Sequence, residues 1–255
     1  MHIFGGAISA RTGADSIEDA RDRVAGDLRA EEKTFLKDNG FLSVADYSTQ
    51  SDLEELRGLI NQVLGDHELT QKTTVRDLTG QDTLAIREIV SPSKLQPKLL
   101  ESRVYQRAVT ITEALYGPGA SLAFDHIIDK PPHNAKETAW HQDAAYSSML
   151  SLSAKRLHWW VPIQDVDENN GCMAYVPGSH RGPRVKHVPV APGAHTLKTT
   201  DTAFADQATY CAIPAGGACM HLPRTLHYTG PNRTNAPRVA WIFQIVVRSR
   251  IPQWV

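Results

Sequence analysis

The sequence predicts a mainly β chain with flanking helices, an α+β protein whose strands close into a sandwich or barrel. Three observations carry this. The 255 residues suffice for one sizeable core, and a single domain of that length is ordinary for barrels and sandwiches. In the first part of the chain apolar residues recur at helical spacing. From Ser121 onward the apolar runs shorten, alternate, and are separated by Pro, Gly and Asn clusters, which is the pattern of short strands. The chain therefore reads as one domain over residues 1–255, with a mainly helical preface over 1–120 and a barrel core over 121–250.

Between Ser16 and Lys37 the apolar residues Ile17, Ala20, Val24, Leu28 and Phe35 mark a first amphipathic helix, stopped by Asn39-Gly40. Ser51-Asp-Leu-Glu54 has the form of a capping box, and Leu53, Leu56, Ile60 and Leu64 then share one helical face. A third helix is expected from about Pro97 to Tyr116, opened by proline and closed by Gly117-Pro118. The segments SLAFDHII, KRLHWWVPI, CMAYVPG, QATYCAI, GACMHL, TLHYTG and RVAWIFQIVV then read as strands. Gly182 to Phe204, rich in Pro, Gly, Thr and His, reads as a long surface or active-site loop, a kind of segment that is often functional.

Composition narrows the function. Lys plus Arg number 27 against 28 Asp plus Glu, so no broad basic surface is available to neutralise nucleic acid or an anionic membrane. A small-molecule partner is expected, with no nucleic acid and no membrane. The three cysteines, Cys172, Cys211 and Cys219, lack Cys-x-x-Cys spacing, which argues against a disulfide framework and a thiolate zinc site and for a reducing cytoplasm. The N-terminal residues have neither the basic start nor the apolar core of a signal peptide, and no run of about 18 apolar residues occurs.

The strongest chemical signal is Trp140-His141-Gln142-Asp143. In a strand, residues i and i+2 face the same side, so His141 and Asp143 could present an imidazole and a carboxylate to one ion. One further histidine would complete a facial triad, which binds iron(II) and leaves adjacent positions for a bidentate 2-oxo acid and oxygen. His221 and His227 are the candidates. His227 is preferred because Thr229 follows on the same strand face, then a turn at Gly230-Pro231-Asn232 and a strand opening with Arg238. An arginine there could hold the distal carboxylate of 2-oxoglutarate through paired charge-assisted hydrogen bonds. His221 reads instead as a packed, hydrogen-bonded histidine, and His180, in the VPGSH segment, as a turn residue.

Four segments, in order, resemble the phytanoyl-CoA dioxygenase family of iron(II)/2-oxoglutarate oxygenases: FLKDNGFLSV, DKPPHNAKETAWHQD, WVPIQDVDENNGCMAYVPGSHRG and TLHYTGPNRTNAPRVA. The resemblance covers about Phe35 to Val247. It implies a double-stranded β-helix, a cupin-like jelly-roll barrel with iron between its sheets, and iron ligands His141, Asp143 and His227. It also implies Arg238 as the main 2-oxoglutarate anchor with Thr229 as helper, Trp160 walling the pocket, and Phe124 flanking the oxo acid. His126, two residues beyond Phe124, and Tyr146 are then substrate-side candidates. The implied reaction uses iron(II), 2-oxoglutarate and O2 to remove hydrogen from a C–H bond, with succinate and CO2 as co-products. Hydroxylation, oxidative cyclisation and epimerisation share that ligand set. Halogenation is disfavoured because Asp143 fills the position that family halogenases leave open. AWHQDAAY and LHYTGPN resemble members that tailor secondary metabolites such as antibiotics. A non-catalytic ligand-binding barrel, or a cupin-type metalloenzyme without an oxo acid, would lack the reason for an intact ligand set beside Arg238.

Overall fold

The computed structural model describes residues 28–79, 86–146 and 154–248. Two antiparallel sheets dominate. The larger has the strand order β1 (Phe41–Val44), β11 (Ala218–His221), β6 (Lys155–Pro162), β13 (Arg238–Val247), β4 (Ala120–Lys130), β3 (Arg87–Val90), β2 (Val75–Asp77). The smaller has the order β10 (Thr209–Cys211), β7 (Met173–Tyr175), β12 (His227–Thr229), β5 (Thr138–His141). All seven expected strand segments contain a strand.

The alternation in β13 shows why the sheets pack as they do. Val239, Trp241, Phe243 and Ile245 face outward and join Leu157, Trp159 and Val161 of β6 in one buried cluster with the helices. Ala240 and Ile242 face inward with Trp160, toward Met173 and Tyr175 of the smaller sheet. The larger sheet is thus covered on one face by helices and on the other by the second sheet, which accounts for its near-continuous apolar strands. The helical layer consists of α1 (Ala30–Asn39), α2 (Gln50–Gly65) and α3 (Arg103–Tyr116), with Leu56, Ile60, Val63, Val104, Ala108 and Ile111 buried on the sheet. Tyr47 ties the layer in, its hydroxyl donating to the Val104 carbonyl at 2.5 Å.

The structure corrects the sequence reading at several boundaries. The part of the expected first helix before residue 28, like the N-terminal segment read for targeting, lies outside the described residues. The remainder, α1, stops at Gly40, whose φ of 83° favours glycine. The capping box of α2 is Thr49 with Asp52, each accepting from the other's backbone N–H at 3.2 Å, two residues ahead of Ser51 and Glu54. Gln50 and Ser51 are exposed, so the earlier cap lengthens the helix at no cost in buried polar groups. The third helix does not run unbroken from Pro97. A single turn, Lys98–Glu101, ends at Ser102, whose hydroxyl donates to the Leu99 carbonyl at 2.7 Å and accepts from Tyr105 N–H, restarting the helix as α3. The preface also contains β1, β2 and β3, which extend the larger sheet at both edges. The expected loop from Gly182 to Phe204 holds a hairpin, β8 (His187–Pro189) with β9 (Leu197–Thr199). Among the described residues no helix is long and apolar enough to cross a membrane, and Cys172, Cys211 and Cys219 are buried and free.

Candidate metal centre and oxo-acid pocket

His141 ends β5 and His227 opens β12, and the antiparallel register sets them directly opposite one another. Their rings are 4.1 Å apart. Each ring is oriented through Nδ1, His141 toward the Ala139 carbonyl at 2.7 Å and His227 toward the Thr225 carbonyl at 3.0 Å. An Nδ1–H donated to a carbonyl leaves the Nε2 lone pair for a metal, the usual arrangement for a ligating histidine. Both Nε2 atoms face Asp143 Oδ1, at 3.6 and 3.7 Å.

Asp143 reaches this position differently from the strand argument. The strand ends at His141, and Asp143 begins a 3₁₀ turn, Asp143–Tyr146. Gln142, fully buried, fixes that turn. Its side chain donates to the Arg224 carbonyl at 2.6 Å and accepts from Val185 N–H at 2.9 Å, and its backbone N–H donates to His187 Nε2 at 3.0 Å. The other oxygen of Asp143, Oδ2, lies 2.5 Å from His158 Nδ1 and 3.0 Å from His221 Nε2. His221 is held in turn by the Tyr175 hydroxyl, 3.2 Å from its Nδ1. His221 is therefore the packed, hydrogen-bonded histidine that the sequence suggested.

Two groups consequently have metal-compatible spacing, with ligand atoms within 4.8 Å of one another: His141, Asp143 and His227, and Asp143, His158 and His221. The first fits an ion better. Its histidines have committed only Nδ1, whereas both nitrogens of His221 are engaged. Electrostatics agree with a ligand role. Burial and the neighbouring His141 push the His227 pKa well below the usual imidazole range, the direction that favours ligation. Burial opposes ionisation of Asp143, but the surrounding imidazoles, His158 and His227 first, outweigh it and hold the acid well below the ordinary carboxylate range.

A cavity of about 410 Å³ opens from these groups between the sheets. At one end lies Arg238, 1 % exposed, with Nε, Nη1 and Nη2 all buried and without a hydrogen-bond partner among the described residues. Its guanidinium is 5.5 Å from the centre of the Trp160 ring. Burial pulls its pKa down to about 10, which still leaves a full cation at neutral pH. A buried cation with every donor unmatched is costly unless an anion meets it. Thr229 lines the same end. Its Oγ1 accepts from Lys130 Nζ at 2.9 Å, which leaves the hydroxyl hydrogen free to be donated into the cavity.

Trp160, Phe124, His126 and Tyr146 all line the cavity too. The register Arg238↔Lys130 and Gln244↔Phe124 on β13 and β4, with Gln244↔His158 on β6, sets Phe124 level with the metal candidates rather than with Arg238. Sequence reasoning missed Lys130, His158, Glu88, His195 and Gln244. Lys130 had a usable signal, since continuing the alternation Phe124, His126, Ile128 by two residues puts it inside the barrel. Its Nζ donates to the Thr229 and Gly230 carbonyls at 3.0 and 2.7 Å as well as to Thr229 Oγ1.

The sequence model of the phytanoyl-CoA dioxygenase family matches residues 36–240. The chain belongs to that family. Peroxisomal phytanoyl-CoA dioxygenase of Rattus norvegicus is 24% identical over 236 residues, covering 84% of this chain and 67% of the relative. A probable alpha-ketoglutarate-dependent hypophosphite dioxygenase of Stutzerimonas stutzeri is 26% identical, covering 82% of this chain and 75% of its own length. Among solved structures, EvdO2 of Micromonospora carbonacea var. aurantiaca, complexed with 2-oxoglutarate, superposes with a TM-score of 0.73 at 27% identity, covering 87% of this chain and 91% of that one. The two sheets are thus the expected double-stranded β-helix, and the chain is an iron(II)- and 2-oxoglutarate-dependent oxygenase. Family membership and the 2-oxoglutarate-bound neighbour speak against a non-catalytic barrel and against a cupin-type enzyme without an oxo acid.

Proposed function

We propose that His141, Asp143 and His227 bind iron(II), that Arg238 and Thr229 hold the distal carboxylate of 2-oxoglutarate, and that the chain oxidises a C–H bond of a small secondary metabolite in the cytoplasm. The observation that carries this is Arg238: a guanidinium with all three nitrogens orphaned, at the end of the cavity that also contains the histidine and carboxylate cluster. Bound together, iron, 2-oxoglutarate and O2 supply an oxidant able to take hydrogen from an unactivated C–H bond, with succinate and CO2 released.

The protein's own part is positioning and exclusion of water. Trp160 covers one face of Arg238, so the salt bridge to the oxo acid forms in a low-dielectric setting where it is strong. Phe124 shares the register of Gln244 and His158 and lines the same cavity. Tyr146 follows Asp143 in the same 3₁₀ turn, its ring 6.1 Å from that of His141, and its hydroxyl accepts from Leu197 N–H at 2.8 Å in β9. That bond links the metal turn to the 182–204 hairpin and makes the hairpin a wall of the substrate side.

The secondary-metabolite reading is supported by two neighbours from nogalamycin biosynthesis. These are the alpha ketoglutarate dependent carbocyclase SnoK and the epimerase SnoN, each 20% identical, with TM-scores of 0.65 and 0.67. The charge balance, 27 basic against 28 acidic residues, offers little to the phosphates of a coenzyme A thioester. The test is succinate release with iron(II) and 2-oxoglutarate over a panel of acyl-CoA thioesters and glycosylated polyketides, with product mass recorded. Polyketide-dependent release is the expected result, with a mass gain of one oxygen for hydroxylation, loss of two hydrogens for cyclisation, and no change for epimerisation. Release driven only by acyl-CoA would overturn the substrate reading.

A further inference from the structure

One wall of the cavity carries chemistry that neither the metal ligands nor the oxo-acid anchor uses. Glu88 on β3 and His126 on β4 both line it. In the strand order β6-β13-β4-β3 Glu88 stands three strands and His126 two strands from His158, so β3 lies roughly 14 Å from β6 at about 4.8 Å per strand. Glu88 is 4% exposed. Its Oε1 is 2.5 Å from His126 Nδ1. Its Oε2 is buried, 4.0 Å from the Arg76 guanidinium, and without a hydrogen-bond partner among the described residues. Such an oxygen keeps its desolvation cost until a donor arrives.

The surroundings specify the donor. The Phe124 ring is 5.1 Å from that of His126, and the Tyr146 and His195 rings are 5.6 Å apart, so aromatic rings line the same cavity as the carboxylate. Arg76 and His126 already face Glu88, which reduces what an ammonium ligand would gain there. An anionic ligand would be repelled. A neutral hydroxyl satisfies Oε2 without adding charge.

We propose that Glu88 and His126 form the recognition site for a hydroxyl group on the prime substrate, with the hydroxyl donating to Glu88 Oε2 and the Phe124 and Tyr146 rings covering the adjoining carbon skeleton. The proposal rests on the oxygenase reading above. It assigns specificity to the β3–β4 edge of the barrel, across the cavity from the metal ligands, and makes the substrate an uncharged, hydroxylated, ring-sized group at that point.

The experiment uses the full chain with iron(II) and 2-oxoglutarate. Succinate release is followed against rising concentrations of cyclohexanol, cis-cyclohexane-1,2-diol and methyl α-D-glucopyranoside, with methylcyclohexane, cyclohexylamine and cyclohexanecarboxylate as counterparts. Hydroxylated probes should raise succinate release above their counterparts, and Glu88→Gln should raise the half-saturating concentration about 10-fold or more, the loss expected for a hydrogen bond to a charged group. Glu88→Gln preserves shape, and the anaerobic 2-oxoglutarate titration, read from the iron charge-transfer band, verifies that the variant is folded. Preference for the amine, equal response to hydroxylated and apolar probes, no response to any hydroxylated probe, or an unchanged response in Glu88→Gln each overturns the proposal. A missing charge-transfer band in the unsubstituted protein overturns the oxygenase reading, and this proposal with it.

Discussion

Asp143 divides its two oxygens between two pairs of histidines. Oδ1 faces His141 and His227, and Oδ2 is hydrogen-bonded to His221 and lies 2.5 Å from His158 Nδ1. Fixing Oδ2 in this way leaves one oxygen for an ion and sets its direction, the common role of groups behind a metal ligand. His227→Ala should therefore lose most iron(II) binding, whereas His221→Ala should weaken it about 10-fold to 100-fold, the usual range for such supporting groups. Iron(II) titration of the two purified variants compares them directly. If His221→Ala or His158→Ala loses more than His227→Ala, the ion belongs to the Asp143, His158, His221 group. The local sequence pointed to His141 and Asp143 through a strand spacing that the structure replaces with a 3₁₀ turn, and to His227 through the Thr229 and Arg238 that follow it. It could not show His158, because a histidine between Leu157 and Trp159 in an apolar strand reads as core until β11 is known to pair with β6. The same holds for Glu88, whose partner His126 is 38 residues away.

At the scale of elements, the strands beyond Ser121 were legible because Pro, Gly and Asn clusters bound their apolar runs, whereas the short strands set among the helices of the preface were not. β13 was read over its full length, Arg238–Val247. β1, β2 and β3 have four, three and four residues, too few for a period to emerge next to helical neighbours. Their role comes from tertiary pairing at the sheet edges. The β12–β13 turn is a further case. Lys130 Nζ, buried, serves the Thr229 and Gly230 carbonyls and Thr229 Oγ1. Asn232 Nδ2 donates to the carbonyls of Lys130, Pro131 and Ala236 at 3.0, 3.1 and 2.8 Å. Lys130→Met should therefore destabilise the fold by about 2 to 4 kcal/mol, because two buried carbonyls lose their donor. Urea unfolding monitored by tryptophan fluorescence would report this, and an unchanged midpoint would show that water replaces the ammonium. On the helical side, Ser102→Ala removes the hydroxyl that caps α3 and should cost about 0.5 to 2 kcal/mol by the same measurement.

For the whole molecule, the fold places the buried Arg238 cation and the His141, Asp143 and His227 cluster on the lining of one cavity, and under the proposed reading a molecule with two unlike ends satisfies both. Thr229 contributes a neutral donor to a charged group, so Thr229→Val should weaken 2-oxoglutarate binding by about 10-fold to 150-fold, from a loss of roughly 1.5 to 3 kcal/mol. Arg238 contributes the charge. Removing one partner of a buried charged pair costs about 2 to 5 kcal/mol, so Arg238→Met should weaken 2-oxoglutarate binding by roughly 30-fold to a few thousand-fold, with iron(II) still bound by the unchanged ligands. The direct measurement is an anaerobic titration of 2-oxoglutarate into the iron(II)-loaded protein, following the metal-to-ligand charge-transfer band in the unsubstituted chain and in Arg238→Met. A band that saturates in the first, and shifts to much higher 2-oxoglutarate concentration in a folded, iron-binding Arg238→Met protein, is the predicted result. Identical titration curves would contradict the assignment of Arg238.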